Sequence, residues 1–344
     1  MLCRDADSCY WIGRYVERAE ATARMVDVHY HAALESPLPP GQGRVGDAEL
    51  EPIRWQSLLA ISGIADLYYK RFESETDRDV LHFFAFDLEN PNSIRSTWKF
   101  ARENARSIRE QLASEMWEAL NASFLELNKW DADRVLSGSP NVFFSMVKND
   151  SHLFQGILNR TMLMGEARDW LDAGRFLERA CQTARLLDVK YHDLLPIQAD
   201  TEPGPSANSS ALAGASAYGV GGALDTHGWN AVLKSVSALE MYRKTHRDGI
   251  HPANVVDFLV LCPQFPASVR HGIARVEGCL RRIRAVAGMD EGNNPERLIG
   301  RLLADLTYTR PDEIIADGLH EFLDGVQLRC AAIGSAIRET YLVY

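Results

Sequence analysis

Residues 13–34 read GRYVERAEATARMVDVHYHAAL, and residues 174–195 read GRFLERACQTARLLDVKYHDLL. The two segments align without a gap at an offset of 161 residues, and thirteen of their twenty-two positions are identical. Apolar side chains recur every three or four residues in both segments, which is typical of an amphipathic α-helix. Similarity at a fixed offset within one chain indicates an internal repeat. We therefore expect two copies of one helical unit.

Weaker similarity follows each of these two segments. VLHFFAFDLENPNSIR at 80–95 aligns with VVDFLVLCPQFPASVR at 255–270, where the offset has grown to 175 residues. A changing offset places insertions in loops, where extra residues are tolerated. We expect a first helical repeat at 1–165 and a second at 166–344, related by a pseudo-two-fold axis and packed as one compact body.

The rest of the chain also has helical periodicity. The strand-like candidates are two apolar runs, 80–88 and 255–262, which buried helical segments explain equally well. The predicted fold class is therefore all-α, a multi-helix bundle. Residues 196–228 are rich in Gly, Ser, Ala and Pro and carry few large apolar groups, so we expect a flexible loop there. Further helical windows lie at 55–73, 94–128, 149–193, 229–247, 267–287, 295–307 and 312–342.

The composition is that of an ordinary soluble globular protein, with 46% hydrophobic residues in 344 and a formal net charge of −10. This acidic balance argues against nucleic acid as a partner, because such binding needs clustered Lys and Arg. There is neither a signal-peptide pattern nor an apolar run long enough to span a membrane, so we expect a cytoplasmic protein without a membrane partner. The six cysteines include no CxxC pair and indicate neither a disulfide framework nor a zinc site.

Charged positions differ less between the two copies than apolar positions do. Tyr15 is replaced by Phe176 and Val16 by Leu177, whereas six charged positions are unchanged. Most exposed ion pairs contribute about 0–1 kcal/mol, so surface charges should drift freely. The unchanged charges are therefore expected to have a defined role. They are Arg14/Arg175, Glu17/Glu178, Arg18/Arg179, Arg24/Arg185, Asp27/Asp188 and His31/His192.

Three interpretations of these charges remain open. In the first, Glu17 and Glu178 accept forked hydrogen bonds from arginines of neighbouring helices or of the other copy, in a network that fixes helix register. In the second, the arginines line a polar cavity that binds a carboxylate, phosphate or adenylate-like group. In the third, the charges form a docking surface for a partner protein, and a scaffold that forms homo-oligomers is a related alternative. The candidate binding residues are Arg14, Glu17, Arg18, Arg24, His31, Arg102, Arg106, Arg175, Glu178, Arg179, Arg185 and His192.

Arg102 and Arg106 belong to a further arginine patch, ARENARSIREQLASEMWEALN at 101–121. The two are four residues apart and share one face of the predicted helix. One interpretation is a helix stabilised by internal ion pairs. The other is that these arginines join the charged layer around Glu17.

The sequence lacks the motifs of metal, cofactor or nucleophilic chemistry. Asp27 and His31 are four residues apart, but the Glu-x-x-His pairs of di-iron bundles are missing, so we expect no metal. No nucleophile elbow, P-loop or dinucleotide-binding loop follows a strand, so we expect no cofactor. A catalytic Glu17 or Glu178 needs a pKa near neutrality, and neighbouring arginines lower the pKa of a carboxyl group. We therefore expect a non-catalytic protein, with an enzyme as the alternative.

The opening MLCRDADSCYWIGRYVERAE, the later ARENAR and EMWEALN, and GRFLERACQTARLLDVKYH resemble the alpha-E family, an α-helical domain with a Glu-Arg motif. The motif maps onto Glu17-Arg18 and Glu178-Arg179. Proteins similar to this family are encoded beside, or fused to, circularly permuted ATP-grasp ligases and transglutaminase-like cysteine peptidases. The chain departs from the family pattern in its long 196–228 segment, in Cys3 and Cys9, and at Ala267.

This resemblance implies an auxiliary, non-catalytic helical protein. It would act with an ATP-grasp amide or peptide ligase and a transglutaminase-like partner, and bind an anionic group through its Arg/Glu layer. The alternative that it implies is an enzyme of peptide- or amide-bond formation. That enzyme would use Glu17 or Glu178 together with an anionic substrate bound by arginines.

Overall fold

The computed structural model describes residues 1–35, 51–194, 223–289 and 291–342. These residues form sixteen α-helices and no β-strand, which confirms the all-α prediction. None of the described helices combines the length and the apolar character needed to cross a bilayer. Eight helices precede residue 166: α1 (Cys3–Glu35), α2 (Glu51–Ser62), α3 (Ala65–Tyr69), α4 (Asp77–Leu81), α5 (Ile94–Ser107), α6 (Ser114–Leu127), α7 (Ala132–Ser137) and α8 (Pro140–Thr161). Eight follow: α9 (Glu166–Leu194), α10 (Ala223–Ser235), α11 (Leu239–Thr245), α12 (Pro252–Val256), α13 (Val269–Ala287), α14 (Asn294–Tyr308), α15 (Pro311–Asp317) and α16 (Leu319–Tyr341).

The longest helices, α1 and α9, pack against each other at the centre of the molecule. On one side α5 and α8 pack on α1, and α6 covers both of them. On the other side α13 and α16 pack on α9, and α14 covers both. Two four-helix groups therefore meet along the contact between α1 and α9, and their buried apolar side chains form a single core cluster.

The two apolar runs that were strand-like candidates, 80–88 and 255–262, form helical structure. In the first run, α4 continues into one π-helical turn at His82–Phe86, and in the second α12 continues into another at Asp257–Leu261. Phe83, Phe84 and Phe86 are buried, as is every apolar side chain of the second turn. Because these side chains are covered by protein on all sides, the sequence there carries no amphipathic period.

Two of the predicted helical windows are each interrupted by a glycine with left-handed backbone. The window 55–73 breaks at Gly63, where φ is 67°, and the window 312–342 breaks at Gly318, where φ is 109°. Glycine adopts these angles without the steric cost that a Cβ atom imposes. One continuous helix was therefore the wrong prediction at both places.

Two further predicted windows are also interrupted, but no glycine with a positive φ lies at either break. The window 149–193 is interrupted at 162–165, where Arg168 donates hydrogen bonds to the carbonyl oxygens of Asn159, in the last turn of α8, and of Met162, just after its end. The window 94–128 is interrupted after α5 by a 3₁₀ turn. Arg168 lies nine and six residues from these two acceptors, and side-chain hydrogen bonds of this kind leave no trace in the apolar period of the sequence.

The flexible loop predicted at 196–228 lies outside the described residues up to position 222. Its last part is helical, because α10 begins at Ala223, among residues such as Ala and Leu that favour helix. The window 229–247 is then broken between α10 and α11, where Ser237 adopts a left-handed φ of 52°.

Candidate functional site

The central helices approach closely because each carries a glycine at the contact. A Cβ atom at Gly13 would overlap the backbone carbonyl oxygen of Leu171, and one at Gly174 would overlap that of Tyr10. Only glycine at these two positions allows the backbones to come so near. The close approach brings the Glu-Arg segments of α1 and α9 within hydrogen-bonding reach of each other.

Glu178 on α9 is held by two arginines of α1. Arg14 Nε donates to Glu178 Oε2 at 2.7 Å, and Arg18 donates from Nε to Oε1 at 2.7 Å and from Nη2 to Oε2 at 3.0 Å. Gln182 Nε2 adds a fourth donor to Oε1 at 2.8 Å. Burial raises the pKa of Glu178, but Arg18 and Arg14 outweigh it and hold that pKa well below its usual range. Glu178 is therefore an ionised, fully hydrogen-bonded carboxylate.

Glu17 on α1 makes the corresponding contact with Arg179 on α9. Arg179 donates from Nε to Glu17 Oε1 at 2.5 Å and from Nη2 to Oε2 at 2.8 Å. Burial raises the pKa of Glu17, and Arg179 opposes that rise. Glu17 therefore has one guanidinium partner where Glu178 has two.

The difference arises because Arg175 does not cross to the other helix as Arg14 does. Arg175 Nη2 lies 2.7 Å from Asp172 on its own helix, and its guanidinium covers the ring of Phe176. At the offset of 161 residues Trp11 aligns with Asp172, so Arg14 has no such acid three residues before it. The two aligned arginines therefore have different partners, and the aligned pair Trp11 and Asp172 is the sequence difference that accompanies this.

Two cavities border this charged layer. Cavity A, about 250 Å³, is lined mainly by α1, α8 and α9, and its polar residues are Glu17, Glu20, Arg24, His152, Gln155, Arg179, Gln182, Thr183 and Ser235. Cavity B, about 280 Å³, lies between α1, α9 and the α2–α3 turn. Its lining residues are Arg14, Arg18, Thr22, Met25, Ser62, Ile64, Phe84, Asn92, Glu178, Cys181, Gln182 and Arg185.

Glu20 is a residue of cavity A that the sequence did not single out. Arg24 donates to Glu20 Oε1 at 2.7 and 2.9 Å, and Ser151 of α8 donates to Oε2 at 2.8 Å. His152 Nε2 lies 3.1 Å from Oε1. Burial raises the pKa of Glu20, yet these three partners together lower it to about 2. In the sequence, Glu20 aligns with Cys181, and a position that differs between the two aligned segments gave no reason to expect a binding role for Glu20.

Comparison with known proteins identifies the family. The model of the Alpha-E family, described as a predicted alpha-helical domain with a conserved ER motif, matches residues 1–342. The chain belongs to the Alpha-E family. In this Alpha-E chain the Glu-Arg pair occurs twice, and the glutamates and arginines of the two pairs bind each other across α1 and α9.

Curated proteins similar to this Alpha-E chain include three uncharacterized proteins, one from Mycobacterium bovis and two from strains of Mycobacterium tuberculosis. Each is 22% identical to this chain over 356 aligned residues. The alignments cover 97% of this chain and 36% of each relative, so the chain spans about a third of the length of the curated relatives it matches. No solved structure matches the chain.

The remaining candidate residues of this Alpha-E chain lie outside the Glu-Arg contacts. Arg24 and Arg185 line cavities A and B respectively. The half-exposed His31 lies 3.4 Å from Asp27 on its own helix. His192 belongs to α9, but its side chain lies outside the described residues.

Arg102 and Arg106 do not join the charged layer around Glu17. Arg102 donates to Asn121 of α6 at 2.8 Å and covers the rings of Trp117 and Phe124, while Arg106 pairs with Glu103. Their face of α5 is turned toward α6 and solvent, which supports the interpretation of a helix with local ion pairs.

The described residues contain no group of three His, Cys, Asp or Glu side chains placed to hold a metal ion. What the site offers chemically is a set of strong cross-helix ion pairs and two polar cavities beside them. Arg14, Arg18, Arg175 and Arg179 all end on carboxylates of the protein. An anion-binding role for the layer itself is thereby disfavoured.

Proposed function

We propose that this chain is a non-catalytic accessory module that acts with an ATP-grasp amide or peptide ligase and a transglutaminase-like peptidase. The observation that carries the non-catalytic part is the pairing of both motif glutamates with arginines of the opposite helix. A carboxylate held ionised by two guanidinium groups is a poor proton acceptor, so Glu178 is unsuited to general acid–base work. The two partner classes follow from the family resemblance.

We also propose that the module is a tandem duplication, with copies at 1–165 and 166–344 that pack as one body. The identical charges in the segments that open α1 and α9 support this, as does the recurrence of eight elements in the same order. Glu17 with Arg179 and Glu178 with Arg18 are reciprocal pairs, as a pseudo-two-fold axis requires. In this arrangement each copy supplies the partner of the other copy's glutamate.

Two further observations support an accessory role inside the cell. The mycobacterial relatives are nearly three times as long as the matched segment, which fits a module that works beside other domains. All six cysteines are free thiols, in keeping with a reducing compartment such as the cytoplasm, where ATP-dependent ligation takes place.

One observation favours an enzyme as the second candidate. Glu17 lies in the wall of cavity A beside Glu20, and burial raises the pKa of Glu17 while that of Glu20 is lowered to about 2. Two carboxyl groups whose pKa values are pushed apart are a pattern of acid–base sites. Against it, both Glu17 oxygens accept hydrogen bonds from Arg179.

The test is co-expression with an ATP-grasp ligase encoded beside an Alpha-E chain. We expect the two proteins to purify together and the ligation rate to depend on the complex. Glu17→Gln should leave the rate of the intact complex unchanged. Absence of both a complex and a rate effect would refute the accessory role, whereas loss of ligation in a folded, bound Glu17→Gln complex would establish the enzyme.

A further inference from the structure

Cavities A and B occupy equivalent places beside the two Glu-Arg contacts but differ in charge. In cavity A two acids, Glu17 and Glu20, face two arginines, Arg24 and Arg179. Cavity B has three arginines, and among the described residues that line it Glu178 is the one acid. The charges of the acids and arginines in cavity A therefore cancel, leaving only any charge on His152, whereas the side chains of cavity B carry two net positive charges.

The difference traces to a single position of the repeat. Glu20 in the first copy holds Arg24 with two hydrogen bonds. The equivalent position in the second copy is Cys181, so the equivalent arginine, Arg185, has no such acid beside it. Within the described part of the chain, Arg185 makes one side-chain hydrogen bond, from Nε to Gln327 Oε1 at 3.4 Å.

Glu178 cannot neutralise Arg185 as well. Its two carboxylate oxygens already accept four hydrogen bonds from Arg14, Arg18 and Gln182. The side chains of Arg14 and Arg18 are 16% and 18% exposed, so their charges are only partly hydrated. Glu178 supplies one negative charge for these two arginines, so one positive charge stays uncompensated at the wall of cavity B. A partly desolvated charge that is not neutralised attracts an anion more strongly than an exposed one does.

The size and lining of cavity B indicate what kind of anion fits. Thr22, Ser62, Asn92 and Gln182 add polar side chains around the arginines. The volume of about 280 Å³ lies just below the roughly 300–1,000 Å³ of common ligand pockets, so the ligand is small. A phosphate monoester carries about −1.5 to −2 charges near pH 7, which matches the two net positive charges.

We propose that cavity B binds the phosphate group of a small phosphate monoester, and that the absence of an acid at Cys181 leaves Arg185 available for it. Arg185 is the principal ligand-binding arginine, and Arg14 and Arg18 add positive charge at the wall of the cavity. Only the source of the ligand rests on the proposed function, because an ATP-dependent ligase that acts with this chain would supply phosphorylated compounds. Binding itself needs no partner protein.

The test is isothermal titration calorimetry of the full chain with inorganic phosphate, with acetate as a monovalent control. Ionic strength is held constant because salt screens such interactions. Cys181→Glu places a carboxylate next to Arg185, as Glu20 stands next to Arg24, and Cys181→Ser is the matched neutral control. Arg185→Gln serves as a second variant, since it breaks no ion pair among the described residues.

We expect saturable binding of one phosphate to the wild type, with an affinity within about twofold in Cys181→Ser. Cys181→Glu and Arg185→Gln should each weaken binding by about tenfold or more, the effect of losing a charged hydrogen-bond donor. The proposal is overturned if phosphate does not bind saturably, if both variants bind it as tightly as the wild type, or if acetate binds equally well. If the complex with the ligase forms but phosphate does not bind, the phosphate site in cavity B is refuted and the accessory role is not. If phosphate binds but no complex forms, the ligase partner is refuted and the phosphate site is not.

Discussion

Glu17 and Glu178 occupy equivalent sequence positions and have different surroundings. Two arginines hold Glu178 and one holds Glu17, because Arg175 turns to Asp172 on its own helix. The comparison of the two copies predicted that these glutamates and arginines matter and that forked pairing was one outcome. It could not predict that Glu178 has two arginine partners and Glu17 one, a difference that accompanies the alignment of Trp11 with Asp172. Differences between the copies therefore carried as much information as identities.

Glu20 gives a prediction about acid stability. Its folded-state pKa of about 2 lies below the value of about 4.3 expected in the unfolded chain, so ionised Glu20 stabilises the fold above that pH. The contribution, about 3 kcal/mol when complete, is lost as the pH falls from about 4 to about 2. Urea unfolding of the wild type and Glu20→Gln should therefore give a stability difference that shrinks on acidification. A difference that stays constant over this range would contradict the assignment.

At the scale of elements, the long helices were predictable and several of their ends were not. The segments that form α1, α9 and α13 have a regular apolar period, so their helical type followed from the sequence, and the window 267–287 also came close to the bounds of α13. At the interruption at 162–165, Arg168 donates hydrogen bonds to the end of α8 and to Met162, and the apolar period does not reveal such contacts. Pairing of the repeated charges between α1 and α9 was one of several interpretations that the sequence left open, whereas the role of the two glycines became visible only in the packed structure.

Gly13 provides a prediction for this helix contact. Gly13→Ala introduces a Cβ atom that overlaps the carbonyl oxygen of Leu171, so α1 and α9 must separate. Overpacking of this kind costs about 3 kcal/mol of unfolding free energy. Gly156→Ala is the matched control, because this glycine of α8 is exposed with open space around its Cβ position, and alanine there should stabilise by about 1 kcal/mol. Equal effects of the two substitutions in urea unfolding would rule out close helix approach.

At the scale of the whole molecule, two four-helix groups meet along α1 and α9. The all-α class and the family followed from the sequence, and the family assignment covers nearly the whole chain. The cavities beside the charged layer could not be predicted, because their walls combine residues from distant segments such as Ser62, Asn92 and Arg185. If the cross-helix ion pairs hold the two groups together, the molecule should unfold as one unit.

The central claim is that the motif glutamates are structural links between the two halves, and urea unfolding of Glu178→Gln tests it most directly. The substitution leaves Arg14 and Arg18 partly buried without their carboxylate. Glu277→Gln, which breaks a surface pair between a half-buried glutamate and the exposed Arg281 on α13, is the control and should cost about 0–1 kcal/mol. For Glu178→Gln we predict one cooperative transition with a loss of about 3–5 kcal/mol in unfolding free energy. A loss no larger than that of the control, or separate transitions for the two halves, would contradict the claim.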